Sequence, residues 1–112
     1  MDGLLLQNKV SSWKKLLKSP LPDVQSLAIE QLRRAGALSS ADLLRIYRES
    51  PYGVVRLEAL MALSATPDNH FITAVTEASQ DAYELVQRQA IRFIAKTATG
   101  VLFRPHPAVY RQ

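Results

Sequence analysis

The chain has 112 residues, 47% of them hydrophobic, and a formal net charge of +4. That length suits one domain with a continuous core, burying roughly 65% of the surface the unfolded chain exposes. Cysteine is absent, which excludes disulfides, thiolate metal sites and cysteine nucleophiles and leads us to expect a reducing, cytoplasmic setting.

The opening stretch Met1-Asp2-Gly3-Leu4-Leu5-Leu6-Gln7 puts an acid where a secretory leader needs a basic segment. No later stretch approaches the ~18 apolar residues of a membrane-spanning helix, so a soluble protein is expected. The first predicted helix covers about 4–18, with Leu6, Val10, Trp13 and Leu17 along one side and Lys9, Lys14, Lys15 and Lys18 elsewhere. Such a helix could lie on a membrane surface, but Val10, Trp13 and Leu16 share the register of later helices, which favours core packing. The second helix covers 22–35 and ends at Gly36. A third, over 40–49, opens on Ser39 and Asp42, spaced as a capping box.

The fourth and fifth helices, 53–65 and 68–79, follow Ser50-Pro51 and Thr66-Pro67-Asp68, each a hydroxyl ahead of a proline fit for a first helical turn. Asp81 and Glu84 have capping-box spacing before a sixth helix over 82–97, and Gly100 stands where it should end. Leu102 and Phe103 then repeat the register of Phe71 and Ile72, as if a further helix began, until Pro105 and Pro107 stop it. Residues 99–112 therefore read as a capping segment and an extended tail. Sustained strand alternation is missing, so an all-α fold is expected.

These helices repeat. Val24, Val55 and Val86 stand 31 residues apart, and the same offset relates Ala28, Ala59 and Ala90. It also relates Ile29, Leu60 and Ile91, then Leu32, Leu63 and Ile94. The columns fall at i, i+4, i+5 and i+8, one face of a helix. In the preceding helix of each unit, Val10, Ala41 and Ile72 align, as do Trp13, Leu44 and Val75, then Leu16, Tyr47 and Ala78. The single domain 1–112 thus divides into helix pairs at about 4–35, 36–66 and 67–98.

A second helix reading Val-basic-x-x-Ala-hydrophobic, entered through a turn rich in Pro and Asp, resembles the HEAT-repeat family. Ser50-Pro51-Tyr52-Gly53-Val54-Val55-Arg56-Leu57-Glu58-Ala59-Leu60 carries the pattern best, and the likeness covers about residues 4–98. The unit length is similar to the short HEAT-like repeats of phycobilisome-lyase subunits. The resemblance implies a right-handed α-solenoid of three stacked antiparallel helix pairs, whose second helices line a concave binding face. Family members commonly place Arg after the Val, in a ladder of turn contacts. Here only Arg56 matches, with Gln25 and Gln87 at the flanking positions, so a weakened ladder is expected.

The charge is unevenly placed. No acid follows Glu84, whereas Arg88, Arg92, Lys96, Arg104 and Arg111 do. Arg88, Arg92 and Lys96 fall at i, i+4 and i+8, one stripe of the sixth helix, and Leu57 and Met61 hold the matching places in the fourth. An apolar patch beside cations marks a protein contact. The expected function is a non-catalytic interaction scaffold whose partner-binding residues are Leu57, Met61, Arg88, Arg92 and Lys96 and whose partner is a protein with an acidic patch. Arg104 and Tyr110 would add a contact from the tail. The alternative is nucleic-acid binding through Arg88, Arg92, Lys96 and Arg104; a role as accessory subunit of an enzyme complex rests on family analogy alone. Catalysis has little support, because His70 and His106 lie on separate segments and no phosphate loop or nucleophile elbow occurs. No metal or cofactor is expected.

Overall fold

A computed structural model describes residues 2–103, with side chains described from residue 9 to residue 97. Among the described residues the fold is entirely helical: α1 (Asp2–Leu16), α2 (Pro22–Arg34), α3 (Ser40–Glu49), α4 (Gly53–Leu63), α5 (Asn69–Ala78) and α6 (Glu84–Phe103). None of these helices is long and apolar enough to cross a membrane. Residues 104–112, including Arg104, Tyr110 and the tail contact expected of them, lie outside the described residues.

Local chemistry sets the boundaries. Ser39 accepts the Asp42 amide at 3.1 Å while the Asp42 carboxylate accepts the Ser39 amide at 2.9 Å, completing the capping box that opens α3. Gly36, at φ +67°, ends α2. Around it Ala37 N–H reaches the Leu32 carbonyl and Gly36 N–H the Arg33 carbonyl, the paired bonds of a Schellman turn. Three expected caps do not form as the spacing suggests. Asp68, not Thr66, opens α5 by accepting the His70 and Phe71 amides. Ser50 stands too far ahead of Gly53 to cap α4, whose N-cap is Tyr52, with no side-chain bond. Asp81 accepts the Tyr83 amide rather than one inside α6. The sixth helix also runs on through Gly100 to Phe103. A helical Gly costs about 1 kcal/mol relative to Ala, too little to end a helix without a competing turn.

Consecutive helices pack as pairs, α1 on α2, α3 on α4 and α5 on α6. The second helices adjoin in order, α2 to α4 to α6, while α3 adjoins α5. The molecule measures 61 × 31 × 18 Å, and its thin dimension is about two helix layers. The Ala28, Ala59 and Ala90 column is wholly buried, as are Val55 and Val86.

Several columns depart from expectation, and Leu16, expected in the core, is 39% exposed in the column that buries Tyr47 and Ala78. Ile72 is 62% exposed and Ala41 is exposed too. Their column lies roughly 100° round the helix from Phe71, beyond the arc that buries Ala74, Val75 and Ala78. Ile91 and Ile94 are also about half exposed, although Ile29, Leu60, Leu32 and Leu63 in the same columns are fully buried. Helix α4 has a row neighbour on each side, whereas among the described residues α6 adjoins only α4 within that row. Its buried stripe accordingly swings to Val86, Ala90 and Phe93, and Phe93 meets Phe71 edge to face with centroids 5.2 Å apart.

Between the helix pairs runs a polar ladder. Arg56 donates from Nε and Nη2 to both oxygens of Asp81, each at 2.9 Å, and from Nη1 to the Ser50 carbonyl at 3.1 Å. One repeat earlier, Gln25 Nε2 donates to the Ser19 carbonyl and Oε1 accepts from Ser50 Oγ at 3.0 Å. The rung expected to be weakened is thus made by an amide in place of a guanidinium. The third rung slips: Gln87 Nε2 reaches the Ser79 carbonyl at 3.3 Å instead of residue 81. Beside the ladder, Tyr52 donates its hydroxyl to the Pro20 carbonyl. Tyr83, the next Tyr of that register, lies over Gly53, where an added Cβ would overlap its ring.

Candidate functional site: the outer face of the second helices

Pairing fixes which sides of α2, α4 and α6 remain open. In α4 the buried positions are Val55, Ala59, Leu60, Ala62 and Leu63, which leaves Val54, Glu58, Met61 and Ala65 along the outside. The same register gives Asp23, Leu27, Glu30 and Arg34 on α2 and Leu85, Gln89, Arg92 and Lys96 on α6. Because α2 adjoins α4 and α4 adjoins α6, the strips form one surface.

Each residue expected on this surface can now be placed. Met61 is 45% exposed. Leu57 is only half-buried and packs against the core cluster, so its free surface is smaller than that of Met61. Arg88, Arg92 and Lys96 are all exposed. Arg88 is paired with Glu84 at 2.8 Å, an exposed i,i+4 bridge, whereas Arg92 and Lys96 enter no ion pair among the described residues. Three apolar members were missed: Leu27, Val54 and Leu85 are each about half exposed. Carrying the 31-residue offset one position ahead of the valine column would have found Val54 and Leu85.

The surface is graded in charge. On α2, Glu30 and Arg34 form an ion pair at 2.8 Å and neutralise one another. In the middle, Glu58 lies near Ser26, Glu30 and Arg33. Burial raises its pKa above the usual value; Ser26 opposes that, Glu30 adds to it and Arg33 again opposes it. The α4 strip thus carries this one half-buried carboxylate beside the exposed apolar Val54 and Met61. On α6, no acid follows Glu84, and Arg92 and Lys96 face outward beside the half-exposed Leu85. An apolar centre with one cationic flank can seat an apolar side chain and pair with a carboxylate beside it.

Elsewhere, the side chain of His70 is 45% exposed, with Nδ1 3.6 Å from Asp68, too far for a hydrogen bond. Trp13 is half-buried, while Lys9, Lys14 and Lys15 are exposed around it on α1. Among the described residues no three of His, Asp and Glu gather as metal ligands do. Comparison of the chain with models of known protein families, with curated proteins and with solved structures finds no match.

Proposed function

We propose that this chain is a short HEAT-like α-solenoid acting as a non-catalytic protein-interaction scaffold, with an acidic partner docking on the outer face of α2, α4 and α6. One observation carries the reading. Along that face the exposed residues pass from apolar Val54 and Met61 on α4 to Arg88, Arg92 and Lys96 on α6, beyond which no acid occurs. Met61 and its apolar neighbours would supply the area removed from water, and Met adapts to irregular partners. The cations would steer approach and fix register. The repeated helix pairs and the turn ladder support the solenoid reading, since the Gln25 and Arg56 rungs each join one repeat to the next.

The test is charge reversal, Arg88→Glu with Arg92→Glu. Both side chains are exposed, so stability should change by roughly 0.5 kcal/mol or less. Affinity capture from nuclease-treated lysate of the source cells should lose the acidic proteins that the unmodified chain retains. The control Lys9→Glu with Lys15→Glu, on α1, should retain them. Equal recovery by both variants would remove this face from the contact. In parallel, anisotropy of labelled duplex DNA and single-stranded RNA separates the rival reading: binding that persists at physiological salt with a steep log–log slope would transfer the face to nucleic acid.

A further inference from the structure

On the other row, between α1 and α3, the molecule opens into a groove of about 540 Å³. Its floor includes Leu17, Leu38 and Ile46, and its rim Lys14, Lys18 and Arg45. The repeat explains why it is open. One unit later, the positions of Leu17 and Ile46 are held by Arg48 and Glu77, which form an ion pair joining α3 to α5, with Arg48 Nε 3.0 Å from Glu77 Oε1. At the first junction an apolar pair stands in place of that tie and cannot bridge the gap by charge. What remains is partly exposed apolar surface in a concavity, within the roughly 300–1,000 Å³ typical of ligand sites.

The rim supplies the selectivity. Lys14, Lys18 and Arg45 form no ion pair among the described residues. The acids lining the groove are Asp42 and Glu49, and Asp42 is committed to the Ser39 amide in the capping box. The polar groups at the back, on Gln25 and Ser50, are bonded to each other. Asp42 keeps its charge while bound to that amide and still acts on Lys14 and Arg45, so three cations face two acids and the groove carries a net charge of +1 around its apolar floor.

We propose that the α1–α3 groove is a second binding site, taking an acidic peptide segment that seats one large apolar side chain on Leu17, Leu38 and Ile46 while flanking carboxylates meet Lys14, Lys18 and Arg45. The site belongs to the row of first helices and stands independently of the face formed by α2, α4 and α6.

The experiment is a titration of the ¹⁵N-labelled full chain, followed by amide shifts, with the hexapeptide EELFEE and with KKLFKK and EESSEE as controls. EELFEE should give saturable shifts at Leu17, Leu38, Ile46 and their neighbours, with a dissociation constant of about 1 mM or tighter, and at least tenfold weaker effects from either control. Leu17→Arg with Ile46→Glu installs the pair found at the next junction; it should fold with an undiminished melting temperature and weaken EELFEE at least tenfold. Should that variant unfold, Lys18→Glu with Arg45→Glu, both exposed, serves the same purpose. Absence of saturable shifts at the groove overturns the proposal, as do equal responses to KKLFKK. Shifts confined to Val54, Met61 and Arg92 would overturn the groove and favour the other face, whereas Arg88→Glu with Arg92→Glu should leave EELFEE binding unchanged.

Discussion

Gln25 and Arg56 occupy the same register one repeat apart, and each joins its own turn to the next repeat by different chemistry. The amide of Gln25 satisfies a carbonyl and a hydroxyl without charge. The guanidinium of Arg56 pairs both oxygens of Asp81, and the two side chains are only 16% and 6% exposed. Burial alone would raise the Asp81 pKa. Arg56 first, then the Tyr83 amide and the Tyr47 hydroxyl, outweigh it and hold the carboxyl below its ordinary value of about 3.8. Burial and then the Asp81 carboxylate push the Tyr47 phenol upward, so it remains a donor. For a carboxyl whose folded pKa lies below the unfolded one, the stabilisation is present above the unfolded value and disappears as pH falls through the folded value. Melting followed by circular dichroism should thus show a midpoint that declines below about pH 4. Asp81→Asn should cost about 3 kcal/mol at pH 7, because a buried guanidinium loses its counter-charge, and should flatten that decline. Parallel acid profiles for the two proteins would show that Asp81 does not carry it.

At the scale of the helix, small residues set how closely the row of second helices packs. Ala28, Ala59 and Ala90 are fully buried at one register position, and Ala59 belongs to the helix with row neighbours on both sides. Ala59→Leu adds three carbons where neither neighbour can withdraw alone, so we expect roughly 1–3 kcal/mol of destabilisation by overpacking. An unchanged thermal midpoint would place the Ala column off the interface. That column, the helix order and five of the six helix ends to within about two or three residues were legible in the sequence, because spacing, Schellman glycine and capping box are local signals. The exposure of Ile91 and Ile94 was not, since a repeat column states which way a side chain faces and not whether a neighbour covers it. The candidate face was half legible. Met61, Arg88, Arg92 and Lys96 emerged from cation spacing and its translation, but Leu27, Val54 and Leu85 look like core residues until the packing of α4 assigns the inner face to Val55, Ala59 and Leu60. Gly100 misled for the opposite reason, since a weak local signal lost to the continuity of the helix.

Across the whole molecule, the three repeats are equal in sequence length and unequal in how they are joined. The second and third are tied by Arg56–Asp81, Tyr47–Asp81 and Arg48–Glu77. The first and second share the Gln25–Ser50 rung and the Tyr52–Pro20 bond, while α1 packs chiefly on α2 and stands off α3 across the groove. Helix α4, by contrast, touches α2, α3, α5 and α6. Local opening follows the number of buried contacts an element must give up, so α1 should open without disturbing α4. Native-state hydrogen exchange should show amides of α1 between Val10 and Leu16 exchanging at least roughly tenfold faster than those of α4 between Leu57 and Leu63. Leu17→Arg with Ile46→Glu, by tying α1 to α3 as α3 is tied to α5, should narrow that difference without altering α4. Equal protection in α1 and α4 of the unmodified chain would mean that the groove is spanned by contacts stronger than its apolar floor provides, and that the three repeats unfold as one unit.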